Sequence, residues 1–169
     1  MSAMSVPTAV AELTEGCRQL RAELRSLGLT LSEDAPADLS VVDRLGRAVD
    51  ELNGRAEEAY HSALLAADAA ERLDLVGAQR QLAAAQTALT VLADRYRDDV
   101  VSYEALEPVA ALRQRGGQWP AWVRVVRQGI DRCRPRVAAV QEAQCRCWQE
   151  LADRAPVGPV YVRTPGRAG

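Results

Sequence analysis

The stretch Val10-Ala-Glu-Leu13-Thr-Glu-Gly-Cys17-Arg-Gln-Leu20-Arg-Ala-Glu-Leu24-Arg-Ser-Leu27-Gly-Leu-Thr-Leu31 carries apolar residues at alternating steps of three and four. On a helix that spacing keeps Val10, Leu13, Cys17, Leu20, Leu24, Leu27 and Leu31 on one narrow stripe, so the segment reads as an amphipathic helix with one buried face. Thr8 can cap its start and Gly28 can stop it, which predicts about five turns. A seam of about three heptads is short for an independent coiled coil. Its apolar face must therefore find partners elsewhere in the chain.

Those partners follow in the same rhythm. Ser32 to Ala37, with Pro36 and two acids, reads as a loop, and Asp38 or Ser40 can cap the next helix. That second helix carries Leu39, Val42, Leu45, Val49, Leu52 and Ala56 on its stripe and runs on through Tyr60 and Leu64 to the alanines near Ala70, with Gly46 and Gly54 as weak points. A break is expected near Asp74. A third helix runs from Leu75 through Leu82, Leu89, Leu92 and Tyr96 to about Asp99. A shorter one spans Ser102 to Arg115, with Pro108 near its effective start, and Gly116 and Gly117 end it. Trp119 and Pro120 open the last helix, whose stripe is Val123, Val126, Ile130, Cys133, Val137, Val140, Cys147 and Leu151. Pro135 falls inside that stripe and should kink or split the helix.

From Ala155 the chain is rich in Pro and Gly and cannot build a core, so residues 155–169 read as a flexible, disordered tail. The expected architecture is all-α: one antiparallel bundle of four to five helices over residues 1–154. No repeat of about 34 residues points to a helical solenoid instead.

Composition supports this and removes several chemistries. The chain of 169 residues is rich in Ala, Leu and Arg and has no Phe, which favours helix by intrinsic propensity. At this length folding buries roughly 70% of the unfolded surface, enough for a core without staples. All 21 basic residues are Arg. Without Lys there is no Walker A lysine, no Schiff-base lysine and no pyridoxal phosphate anchor. The first nine residues have neither a basic region nor an apolar run, and no stretch approaches about 18 consecutive apolar residues, so a soluble, cytoplasmic protein is expected. In that reducing setting Cys17, Cys133, Cys145 and Cys147 read as free thiols acting as small hydrophobes.

No residue set reaches the standard of an active site. Cys145 and Cys147 project about 200° apart on a helix and cannot close on one ion, and the chain has a single His to offer a structural zinc. A four-thiolate site would need Cys147 to leave its helix. His61 follows Tyr60 and precedes Ser62, and adjacent helical residues diverge instead of meeting as base and nucleophile. Glu58-Ala-Tyr-His61 matches Glu-x-x-His once, whereas a di-iron bundle needs it on two helices. The expectation is a non-enzyme with no catalytic, metal or cofactor residues, although a pocket between helices could hold a small molecule.

Charge placement is more informative. Residues 31–112 hold 16 acids and 7 arginines, a net of −9, while residues 113–136 hold 7 arginines and one acid, a net of +6. On the last helix Arg124, Arg132 and Arg136 point away from the apolar stripe, and Arg127 and Arg134 flank it. One reading is that this basic surface pairs with the acidic helices or with water. The second makes it a docking face for another protein, with Trp119, Trp122, Arg124, Arg127 and Arg134 as partner-binding residues, because Trp and Arg are enriched at interface hot spots. The third is a nucleic-acid-binding regulator that uses the same Arg-rich face, which lacks any helix-turn-helix spacing or stacking platform.

The last third of the chain, with Arg115-Gly-Gly-Gln-Trp119, Trp122-Val-Arg-Val-Val-Arg127 and Cys147-Trp-Gln-Glu-Leu151, resembles CATRA-associated small proteins, which accompany caspase-like and tetratricopeptide-repeat components of bacterial conflict systems. The resemblance implies an accessory subunit, with proteolysis performed by another protein. It assigns no individual residue a role. Together these readings point to a non-catalytic helical adaptor or regulatory subunit that works through protein–protein interaction or self-association.

Overall fold

The computed structural model describes residues 5–33, 40–101 and 119–154. Within them the chain forms four helices and no strand: α1 (Val6–Glu33), α2 (Ser40–Glu71), α3 (Leu75–Arg95) and α4 (Trp119–Arg154). The expected helix over Ser102 to Arg115 and the tail from Ala155 lie outside the described residues.

Cross-helix pairs fix the topology. Thr14 of α1 meets Ala63 of α2 and Arg25 meets Glu57, so these helices run antiparallel. Glu12 meets Arg146 of α4 and Glu23 meets Arg132, so α1 and α4 are antiparallel as well. With α3 folded back on α2, the arrangement is an up-down-up-down bundle in which α1 packs between α2 and α4, and α2 between α1 and α3. The apolar stripes become its centre. Every residue of the α1 stripe from Val10 to Leu31 is buried, as are Val42, Leu45, Val49, Leu52 and Ala56 on α2 and the whole expected stripe of α4. Burying each such Leu or Val contributes about 1.5–3 kcal/mol.

Several boundaries differ from the sequence expectation. Ser5, not Thr8, caps α1: its hydroxyl accepts the Thr8 backbone N–H at 3.2 Å, and Pro7 sits in the first turn where a missing N–H does no harm. Gly28 does not stop the helix, which continues to Glu33. It faces α2 instead, where a Cβ would stand 3.4 Å from Asn53 Nδ2 and 3.7 Å from Val49 Cγ1. That same Asn53 amide donates to the carbonyls of Leu24 and Val49, both at 3.2 Å, and so ties the two helices where they approach. Leu64 leaves the buried face of α2, because the stripe continues through Ala59, Ala63, Ala66 and Ala70.

Pro135 neither splits nor ends α4, which runs unbroken over 36 residues. The carbonyl four residues back, on Asp131, lacks its helical donor. Both residues are exposed, so water can serve that carbonyl while Cys133 and Val137 hold the opposite face in the core. The third helix also ends differently from expectation. Regular α-geometry stops at Arg95, and a π turn over Tyr96–Val101 follows, burying Tyr96 and Val100.

The break at Asp74 is a tight reversal. Leu73 N–H donates to the Ala70 carbonyl at 3.0 Å and Asp74 N–H to the Ala69 carbonyl at 2.8 Å, the paired bonds of a Schellman motif. Asp74 then caps α3, its carboxylate accepting Gly77 N–H at 2.9 Å. Gly77 leaves room for this, since a Cβ there would collide with the carboxylate. Asp74→Ala is expected to lower stability by about 1 kcal/mol, with Asp74→Asn close to the parent. Thermal unfolding of the three proteins checks this, and an Ala variant as stable as the parent would refute the cap.

Candidate functional site

Sequence-derived site residues lie on the first half of α4, and the structure separates them. Trp119 opens the helix, with its side chain outside the described part. Trp122 is 5% exposed and belongs to the hydrophobic core, so it is not a surface anchor. Truncating it would remove core volume. Arg124 and Arg134 are exposed, Arg127 is half-buried, and Arg134 stands 3.7 Å from Asp131 one turn earlier. Val125, also exposed, lies beside Arg124.

Much of the remaining basic charge of α4 is used inside the molecule. Arg132 pairs with Glu23 at 3.4 Å, Arg146 with Glu12 at 3.4 Å, and Arg136 donates to the Gln19 side chain. These three links lie in order along the α1–α4 seam. Partly exposed ion pairs contribute little each, about 0–1 kcal/mol, but in series they fix register. Glu57 of α2 does the same on the other side of α1, reaching Arg25 at 2.6 Å and Arg21 at 3.4 Å, with the Arg21 guanidinium stacked 4.3 Å from the Tyr60 ring centroid. Arg132 of the basic stretch and Glu57 of the acidic one are thus each paired with α1, not with one another.

The three buried thiols are poorly placed for nucleophilic chemistry. Cys17, Cys133 and Cys147 are buried, and Cys145 is exposed, unlike the buried hydrophobe expected of it. Burial pushes the Cys17 thiol up to about 12, reinforced by nearby Cys147, and burial likewise raises Cys133 and Cys147 to about 12. Such thiols stay protonated at neutral pH and are poor nucleophiles. His61 is exposed on α2, and Glu58 of the Glu-x-x-His spacing pairs with Arg55 at 3.3 Å. Among the described residues no cluster of His, Cys, Asp and Glu is placed to hold a metal ion, and no helix is long and apolar enough to cross a membrane.

A feature that periodicity did not single out is the tip of the α2–α3 hairpin. Leu73 is 82% exposed and Val76 66% exposed, with Leu64 and Leu65 exposed on the last turns of α2. Leu73 also holds a left-handed backbone, φ 63°. That conformation costs an L-residue about 1–2 kcal/mol and is normally given to Gly in a Schellman motif. A large apolar side chain is therefore displayed to solvent at a position where Gly would be more stable. The sequence signal was available in the missing Gly: a helix ending at Glu71-Arg72-Leu73-Asp74 has no small residue to turn on. No family model, curated protein or solved structure matches this chain.

Proposed function

We propose that this protein is a non-catalytic helical adaptor or regulatory subunit that binds another protein, with the α2–α3 tip as its principal contact. The observation that carries the reading is Leu73, an exposed leucine kept in a strained left-handed turn. Strain retained without a packing return is characteristic of binding sites. Val76, Leu64 and Leu65 surround it in sequence with further exposed apolar side chains, the composition expected of an anchor that enters a partner's apolar pocket. Exposed Arg124 and Val125 near the start of α4 supply a second, more polar contact, with exposed Arg134 on the other flank of the helix. The resemblance to CATRA-associated small proteins favours a caspase-like or tetratricopeptide-repeat partner within a bacterial conflict system.

Leu73→Gly separates function from folding. Relieving the left-handed strain outweighs the extra chain entropy of Gly, so the variant is expected to gain about 0.5–1 kcal/mol and a few degrees in Tm. It should nevertheless lose partner. In affinity purification from the native host with nuclease treatment, a stoichiometric protein partner should accompany the parent and fall at least tenfold with Leu73→Gly. Equal recovery with both proteins would remove the tip from the interface. Companions lost on nuclease treatment would instead favour nucleic acid on the Arg-rich face, with affinity falling steeply as salt rises.

A further inference from the structure

The solvent-facing side of α3 is almost free of charge. From Leu75 to Ala93 the one charged side chain is Arg80, where the chain average of 26% charged residues would place about five. Val76, Arg80, Ala83, Thr87, Thr90 and Asp94 recur at steps of four and three, and all six are exposed. They form a second stripe on the helix, opposite the buried one of Ala78, Leu82, Ala85, Leu89 and Leu92. Its middle is small, so another helix can approach closely there. The Thr87 hydroxyl donates to the Ala83 carbonyl at 3.1 Å and can therefore be covered without losing a hydrogen bond. The ends of the uncharged stretch carry opposite charges. Arg80 makes no ion pair among the described residues, and Asp94 meets Arg97 through one carboxylate oxygen at 3.2 Å.

We propose that two copies of the chain associate along this stripe, as an antiparallel α3–α3 pair with a two-fold axis at Thr87. A stripe that is basic at one end and acidic at the other is its own complement once reversed. With Thr87 on the axis, Arg80 of each copy comes level with Asp94 of the other and Ala84 with Thr90, so the symmetry makes the charge pairing twice. Parallel pairing would set like charges together. Depletion of charge at the centre with charged residues at the edge is the anatomy of a protein interface. From Arg80 to Asp94 the helix is about 21 Å long. One helix pair of that length covers less than the roughly 800 Å² per partner of a standard interface, so the dimer is weak and concentration-dependent. Arg80 and Asp94 lie outside the tip, and this contact stands or falls independently of the partner proposed there.

Sedimentation equilibrium of the full chain over a concentration series tests it. The parent should pass from monomer to dimer at roughly 0.1 mM. Arg80→Glu and Asp94→Arg should each weaken association at least about tenfold, because each places two like-charge pairs in the dimer. Both positions are exposed, so both variants should keep the parent's circular dichroism spectrum. An equimolar mixture of the two variants should recover the parent's degree of association, since both pairs between them are again of opposite charge. Leu73→Gly should leave the balance unchanged. The proposal is overturned if the parent stays monomeric up to about 1 mM, if neither charge reversal weakens the dimer, or if the mixture associates no better than each variant alone.

Discussion

Gly129→Val is expected to destabilise the protein by about 2 kcal/mol and lower Tm by about 4–8 °C, although it replaces a poor helix former. Gly129 is buried on α4 against α1, where a Cβ would already stand 3.0 Å from Leu27 Cδ1. Valine adds two further methyls on a stiff χ1, so it cannot rotate away and the helices must part or Leu27 must leave its rotamer. Leu27→Ala alone opens a cavity and should cost about 3 kcal/mol. Because one change adds volume where the other removes it, the double variant should be more stable than the sum of the two losses by at least about 1 kcal/mol. Denaturant unfolding of the four proteins gives that coupling. Losses that simply add would mean that the two side chains do not meet, and the α1–α4 register set by Glu12, Gln19 and Glu23 would be wrong.

The same position shows what a sequence can and cannot tell. The apolar stripes of α1 and α4 were legible residue by residue, because a three-four spacing has one physical consequence on a helix: a buried face. The break at Asp74 was legible from the loss of that spacing. Gly16 and Gly129 were not, since a glycine inside a helical pattern looks only like a weak point. Its purpose appears when the opposing chain is known, with Val140 Cγ1 at 3.2 Å from a Cβ at Gly16 and Leu27 across from Gly129. Gly28 was misread for this reason, and Leu64 because Ala on the next positions can fill a close-packed seam as well as Leu can. The site suffered from the same limit. Arg and Trp on α4 stood out by composition, yet Trp122 is in the core and Arg132, Arg136 and Arg146 face α1, whereas Leu73 betrays itself only by its backbone.

Leu20→Ala should cost about 3–4 kcal/mol, while Leu29→Ala, on the same helix, should stay within about 0.5 kcal/mol of the parent. The two leucines are chemically alike and differ only in phase. Leu20 is fully buried on the stripe that α1 presents between α2 and α4, whereas Leu29 is 59% exposed on the outer face. Truncating Leu20 removes the transfer free energy of its side chain and leaves a cavity, and backbone packing at Gly16, Gly28 and Gly129 restricts collapse into the space. Against a typical domain stability of about 5–15 kcal/mol this is a large fraction, and Tm should fall by about 10 °C. The Leu20 variant should stay helical at room temperature, because the remaining stripe still buries one continuous face. Equal losses at the two positions would show that α1 does not turn the Val10 to Leu31 face inward, which is the premise on which the bundle rests.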